Sequence, residues 1–139
     1  MTKTTFVLDS FALLAYLNGE NGQARVVEIL TQSQDGQARA LLCTYNLGEI
    51  LYIIERWRGL LDAQRALALL ESLPLEEILP DKALIFEAAH IKAHHAISYA
   101  DAFVVALALR ESAIILTGDP EFQSIAEYAR IEWLTPPPI

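Results

Sequence analysis

Apolar positions come in short blocks along this chain, and the blocks switch between strand-like runs and helical spacing. Thr4-Thr5-Phe6-Val7-Leu8 is an apolar run that stops at Asp9, as a short buried strand does. Ser10 to Asn18 predicts a helix, closed by Gly19, a favourable residue just past a helix end. Asn21-Gly22 marks a turn. Gln23 to Gln34 carries Val26, Val27, Ile29 and Leu30 and predicts a second helix, after which Asp35-Gly36 turns the chain again. Ala38 to Cys43 predicts the second strand, with Ala40, Leu41 and Leu42 in its core. Thr44 or Asn46 then caps a helix that reaches about Arg58, with Leu47, Ile50, Leu51 and Ile54 at helical spacing and Gly59 at its end.

The second half repeats the alternation. Asp62 is a cap for a helix over residues 63–72, which Pro74 stops. Residues 75–79 predict a short strand, against which Glu76 and Glu77 count. Pro80-Asp81 opens a helix to about His94. Ser98 is a good N-cap for a helix running to Leu109, and Asp101 falls three residues later, facing the amide-rich helix start. Phe103, Val104 and Leu107 give that helix an apolar stripe, and its alanines let another element approach closely. Residues 113–116 predict a buried strand, Pro120 starts a short helix to Ala129, and residues 131–134 predict the last strand. Pro136-Pro137-Pro138 predicts an extended tail. With no repeat, low-complexity tract or linker, the pattern predicts one α/β domain over residues 1–139. Its sheet is mainly parallel and covered on both faces.

Composition narrows the class. At 139 residues and 53% hydrophobic, the chain buries a proper core without covalent staples. Its one cysteine, Cys43, excludes an internal disulfide and sits in an apolar run, where it reads as a small core residue. Asp9 interrupts the apolar stretch where a secretory leader is uncharged, and the longest apolar run, Ala102 to Leu109, is too short to span a bilayer. A soluble, cytoplasmic protein without a membrane partner is expected. Taken alone, the net charge of −8 argues against a nucleic-acid binder, because phosphate contacts need a basic face, although it leaves room for a local basic rim and suits a basic protein partner.

The candidate chemistry lies at strand ends, where open parallel sheets bind their ligands. Asp9 ends the first strand, Glu49 lies in the first turns of the helix after the second, and Asp119 follows the 113–116 strand. Asp101 begins the helix that feeds that strand. Such a helix runs antiparallel to its strand, so its N-terminus belongs on the same rim. Each acid also has a plain structural reading. Asp9, Asp101 and Asp119 fit helix caps or first turns, and Asn46-Leu47-Gly48-Glu49 fits a capping box. Four acids on one rim, with no lysine or arginine adjacent in sequence to any of them, repel one another unless their pKa values rise or a cation binds. Their oxygen ligands favour Mg²⁺ or Mn²⁺ over zinc. Phosphodiester hydrolysis is the matching chemistry, with Asp9 and Asp101 as the main metal anchors. Asp119 positions a second ion or a metal-bound water, and Glu49 serves as an outer ligand or orients the nucleophile. Tyr52 and Arg56 share the Glu49 face of their helix, which could present an aromatic and a cation to a polyanion.

The chain resembles the PIN-domain nucleases, and among them the short VapC-type toxins of toxin–antitoxin pairs. The resemblance is carried by Val7-Leu8-Asp9-Ser10 with Leu13-Leu14-Ala15-Tyr16-Leu17, by Asn46-Leu47-Gly48-Glu49, by Ser98-Tyr99-Ala100-Asp101-Ala102, and by Leu116-Thr117-Gly118-Asp119-Pro120-Glu121-Phe122. It runs from about Phe6 to Trp133, and the order of the four pieces makes it specific. It implies a three-layer fold with a central parallel sheet and Mg²⁺- or Mn²⁺-dependent cleavage of RNA. Asp9, Glu49, Asp101 and Asp119 match the family's acidic positions. Ser10 and Thr117 match positions often polar there, and Glu121 fits a first-turn acid. The resemblance also suggests a homodimer and an antitoxin partner that presents arginine to the crevice. A solitary RNA-processing nuclease and a non-catalytic PIN-like binding module are the alternatives.

Three other readings fail on particular residues. A phosphoacceptor receiver wants paired acids near the first strand and a late lysine, but no lysine follows Lys92. A haloacid-dehalogenase-type phosphatase wants an acid where Phe11 stands. His90 and His94 are four apart on a helix, but Ile91 replaces the glutamate a metalloprotease needs, and surface histidine is the expectation.

Overall fold

A computed structural model describes residues 3–135. The proline tail anticipated at Pro136-Pro137-Pro138 lies outside the described residues. Five strands form one parallel sheet: β1 (Thr4–Leu8), β2 (Ala38–Cys43), β3 (Glu76–Ile78), β4 (Ile114–Thr117) and β5 (Ile131–Trp133). Their spatial order is β3-β2-β1-β4-β5, which puts β1 at the centre and pairs Leu8 with Leu116. Among the described residues, six α-helices surround it: α1 (Ser10–Asn18), α2 (Gln23–Gln34), α3 (Thr44–Arg58), α4 (Leu60–Ser72), α5 (Lys82–His94) and α6 (Tyr99–Glu111). The fold is the expected three-layer α/β/α arrangement around a parallel sheet.

Alternate residues of the central strands enter two cores. Val7, Leu41, Cys43 and Ile115 pack against Leu84 and Ala88 of α5 and Phe103 and Leu107 of α6. Phe6, Leu8, Ala40, Leu42 and Leu116 pack on the other face against Leu13 of α1, Ile29 of α2, Ile50 of α3 and Leu70 of α4. Burial on both faces explains why these strands read as continuous apolar runs. Cys43 is fully buried, as its neighbours suggested. Strand β3 carries exposed Glu76 and Glu77 because it is the sheet edge. There Glu76 accepts two hydrogen bonds from the Arg39 guanidinium of β2, 2.7 and 3.0 Å long.

Several boundaries move for physical reasons. Helix α3 starts at Thr44, straight from β2, with Cys43 in extended conformation at its N-cap. Asn46 and Glu49 therefore lie inside the helix, and Asn46 is not its cap. Helix α4 starts at Leu60, because Gly59 at φ 94° lets the chain turn at once. Asp62 then falls in the first turn rather than at the cap. After β4, Pro120–Ile125 forms a short 3-10 helix followed by turns, in place of the continuous helix expected to Ala129.

Candidate active site

Each acid is placed by the element it begins or ends. Asp9 follows β1 and caps α1, with Oδ1 accepting from the Ala12 amide at 2.9 Å. Its Oδ2 accepts from the Thr117 hydroxyl at the end of the neighbouring strand β4. The same Thr117 oxygen accepts from the Asp119 amide at 3.0 Å, so one residue fixes two acids. Asp119 caps the 3-10 helix and accepts from the Glu121 amide at 2.9 Å. Asp101 lies in the first turn of α6, its amide donating to Ser98 Oγ at 3.1 Å. Glu49, in the second turn of α3, accepts from the Ser10 hydroxyl of α1. The cap readings of Asp9 and Asp119 are thus correct without displacing them from the site, because one oxygen of each carboxylate is not used by the cap bond.

All four predicted acids meet. Asp9, Glu49, Asp101 and Asp119 line a single crevice of about 410 Å³ outside the carboxyl ends of the strands, with Ser10 beside them. Glu121 lines it too, and oxygens of Asp101, Asp119 and Glu121 come within 4.8 Å of one another. The sequence alone reads Glu121 as a first-turn acid. Its signal was present, since an acid two residues beyond the capping Asp119 turns back toward the same rim. Leu14 and Ile53 supply apolar wall, and among the described residues no lysine or arginine lines the crevice.

Burial sets the electrostatics. Asp9 is 1% exposed and Asp101 7% exposed. Desolvation pushes the Asp9 carboxyl up to about 7, against the lowering effect of the Thr117 and Ala12 hydrogen bonds, and Asp119 and Glu49 add repulsion. Desolvation likewise pushes Asp101 up to about 8, helped by the Glu121 carboxyl and by Asp119 and Asp9. The donor set is carboxylate oxygen throughout, which fits a hard divalent cation of the Mg²⁺ or Mn²⁺ type. His90 and His94 are exposed on α5, and among the described residues no histidine joins a group of three metal-ligating side chains.

Behind the acids, Asn46 ties two helices together. It is fully buried, and its Nδ2 donates to the Ala100 carbonyl at 3.0 Å, joining α3 to the start of α6. Its Oδ1 has no protein partner among the described residues. Tyr52 and Arg56 do not reach the crevice. They line a separate hollow farther along α3, with the Arg56 guanidinium 5.4 Å from the centre of the exposed Tyr52 ring.

The model of the family described as PIN domain matches residues 6–128. The chain belongs to the PIN-domain family. No curated protein matches it significantly by sequence. Among solved structures, this PIN domain is similar to a chain of VapBC2 from Rickettsia felis, solved bound to a DNA fragment from its promoter. That likeness has a TM-score of 0.73 at 16% identity and covers 93% of this chain and 98% of that one. VapC20 from Mycobacterium tuberculosis, described as a sarcin-ricin loop cleaving toxin, aligns with a TM-score of 0.68 at 18% identity, over 91% and 96% of the two chains. DNA-bound VapBC from Salmonella typhimurium aligns with a TM-score of 0.71 at 20% identity, over 95% and 99%. At such identities the likeness is one of fold.

Proposed function

We propose that this PIN domain is a Mg²⁺- or Mn²⁺-dependent endoribonuclease and the toxin of a toxin–antitoxin pair. One observation carries the reading. Five carboxylates from four separate segments converge on one crevice, and two of them are buried with pKa values pushed up to about 7 and 8. Such a group is unfavourable on its own and is relieved by a divalent cation. When bound, the metal supplies charge neutralisation at the phosphoryl group and a water acidic enough to attack at neutral pH. Asp101, Asp119 and Glu121 hold it, with Asp9 as the further anchor that Thr117 and the Ala12 amide keep in place. Glu49, held by Ser10, orients the attacking water and accepts its proton. Tyr52 and Arg56 contact the RNA beyond the crevice.

Family membership and the fold shared with VapC toxins support the toxin assignment. The anionic crevice suits an antitoxin segment that presents arginine to it. We take the chain to be a single cytoplasmic domain that works as a homodimer.

The test is cleavage of a mixture of structured RNAs by the purified protein with Mg²⁺, with Mn²⁺ or with EDTA, beside the Asp9→Asn variant. Cleavage that needs metal and disappears in the variant is the expected result. Cleavage that survives EDTA or the substitution sinks the assignment. Absence of both metal binding and cleavage moves the chain to a binding role.

A further inference from the structure

The crevice has a chemical imbalance. An RNA strand brings negative phosphates to a pocket lined, among the described residues, by five carboxylates and no lysine or arginine. Apart from a bound cation, the crevice itself offers no electrostatic hold on the substrate, so further affinity there has to come from contacts that ignore charge.

One aromatic residue is built for that contact. Phe11, in the first turn of α1, lines the crevice together with Asp9 and Asp119 and keeps 37% of its surface exposed. A ring that only sealed the core would be buried as Phe6 and Phe122 are. Its position is nonetheless fixed. The edge of the ring rests on Gly118, where an added Cβ would fall 2.6 Å from Phe11 Cζ and 2.9 Å from Cδ1. Gly118 has no positive φ to explain it, so it is small here to make room for the ring. Gly118 stands between Thr117, which holds Asp9, and Asp119. The ring therefore rests against the segment that organises the acids.

We propose that Phe11 is a stacking platform that positions the nucleobase next to the scissile phosphate. It rests on the nuclease reading of the same crevice and adds a positioning residue to it. A base offers the ring a free face only where it is unstacked, as in a loop, a bulge or a single strand. Stacking on a ring is tolerant of base identity, so Phe11 contributes affinity and position rather than sequence choice.

The experiment compares wild type with Phe11→Leu, which keeps apolar bulk but has no ring, and Phe11→Tyr, which keeps the ring. Binding of a labelled single-stranded RNA of mixed sequence is read by fluorescence anisotropy with Ca²⁺ in place of Mg²⁺, and a fully paired RNA hairpin serves as control. Expected are an affinity loss of about tenfold for the single strand in Phe11→Leu, near-wild-type affinity in Phe11→Tyr, and no difference on the paired stem. Thermal melting of each variant confirms folding. Equal affinity of wild type and Phe11→Leu overturns the proposal, as does an equal loss in Phe11→Tyr, which would assign the effect to packing on Gly118. Absence of wild-type binding to the single strand overturns it as well. Cleavage of the same RNA with Mg²⁺ is read separately. Ring-dependent binding without cleavage sinks the nuclease reading alone, whereas cleavage with an unchanged KM in Phe11→Leu sinks the stacking role alone.

Discussion

The Thr117 hydroxyl donates to Asp9 Oδ2 across the β1–β4 pair, which joins two strand ends that lie 108 residues apart in the chain. Because the same oxygen accepts from the Asp119 amide, its proton is committed to Asp9. Thr117→Val keeps the shape and removes that donor. It lets Asp9 rise further above about 7, since the Thr117 bond is what opposes desolvation most. Cleavage at pH 7 should fall by about 10- to 100-fold, with partial recovery at higher pH as Asp9 ionises. A pH–rate profile identical to wild type would contradict the coupling.

Raised acids also set how stability depends on pH. Asp9 and Asp101 sit at about 7 and 8 in the folded chain, above the ordinary aspartate value of 3.8. The folded state therefore binds protons that the unfolded state has released. The stability these groups contribute is fully present below about pH 4 and is lost as pH rises through 7 and 8. Metal-free protein should melt lower at pH 8.5 than at pH 6 as far as these two groups decide, and Asp101→Asn should raise that high-pH melting temperature by about 5 °C. Added Mg²⁺ should stabilise wild type above pH 7 and do little for the variant. Calorimetry with and without Mg²⁺ reads all three.

Ser10 holds Glu49 from the first turn of α1. Ser10→Ala frees that carboxylate without touching the Asp101, Asp119 and Glu121 group. Metal affinity should remain within about threefold of wild type while turnover drops by about tenfold. Isothermal titration with Mn²⁺, alongside a kcat measurement, separates the two. A loss confined to metal affinity would make Glu49 a direct ligand instead.

Gly118→Ala places a methyl group against the Phe11 ring. The expected cost is about 1–3 kcal/mol. Adding Phe11→Leu should recover most of it, because the strain needs both partners. Denaturant melts of the two single variants and the double variant close the cycle. Additive losses would place the strain elsewhere.

Asn46→Ala removes the side-chain donor to the buried Ala100 carbonyl, which keeps its place in the helix ladder, and unties α3 from α6. A loss of about 1–3 kcal/mol is expected. Weaker metal binding should accompany it, because Asp101 is the residue after Ala100. A change in stability with unchanged Mn²⁺ affinity would confine Asn46 to a structural role.

Most elements were legible in the sequence because they are set by neighbours. Apolar runs ending at Asp9, Cys43 and Thr117 fold as strands buried on both faces, and Gly19 at φ 66° closes α1 where an αL residue was needed. The errors fall where local signals mislead. Asn46 has the chemistry of a cap, but α3 grows directly out of β2 and carries it a turn inward, where its amide serves Ala100 instead. Asp62 fails as a cap because Gly59 starts α4 earlier.

The acids divide along the same line. Chain order and spacing were enough to put Asp9, Glu49, Asp101 and Asp119 at strand or helix ends, since a parallel sheet sends those ends to one rim. Which carboxylates gather most closely, which hydroxyl holds which acid, and where Phe11 rests depend on pairs such as Ser10 with Glu49 and Asp9 with Thr117, 39 and 108 residues apart. Such pairs form only after the order β3-β2-β1-β4-β5 has brought their elements side by side. Local propensity acts over a few residues, whereas packing and desolvation act across the whole fold. Neighbouring residues are therefore enough to set the elements and to bring the acids to one rim, whereas their hydrogen-bond partners and raised pKa values come from packing across the sheet.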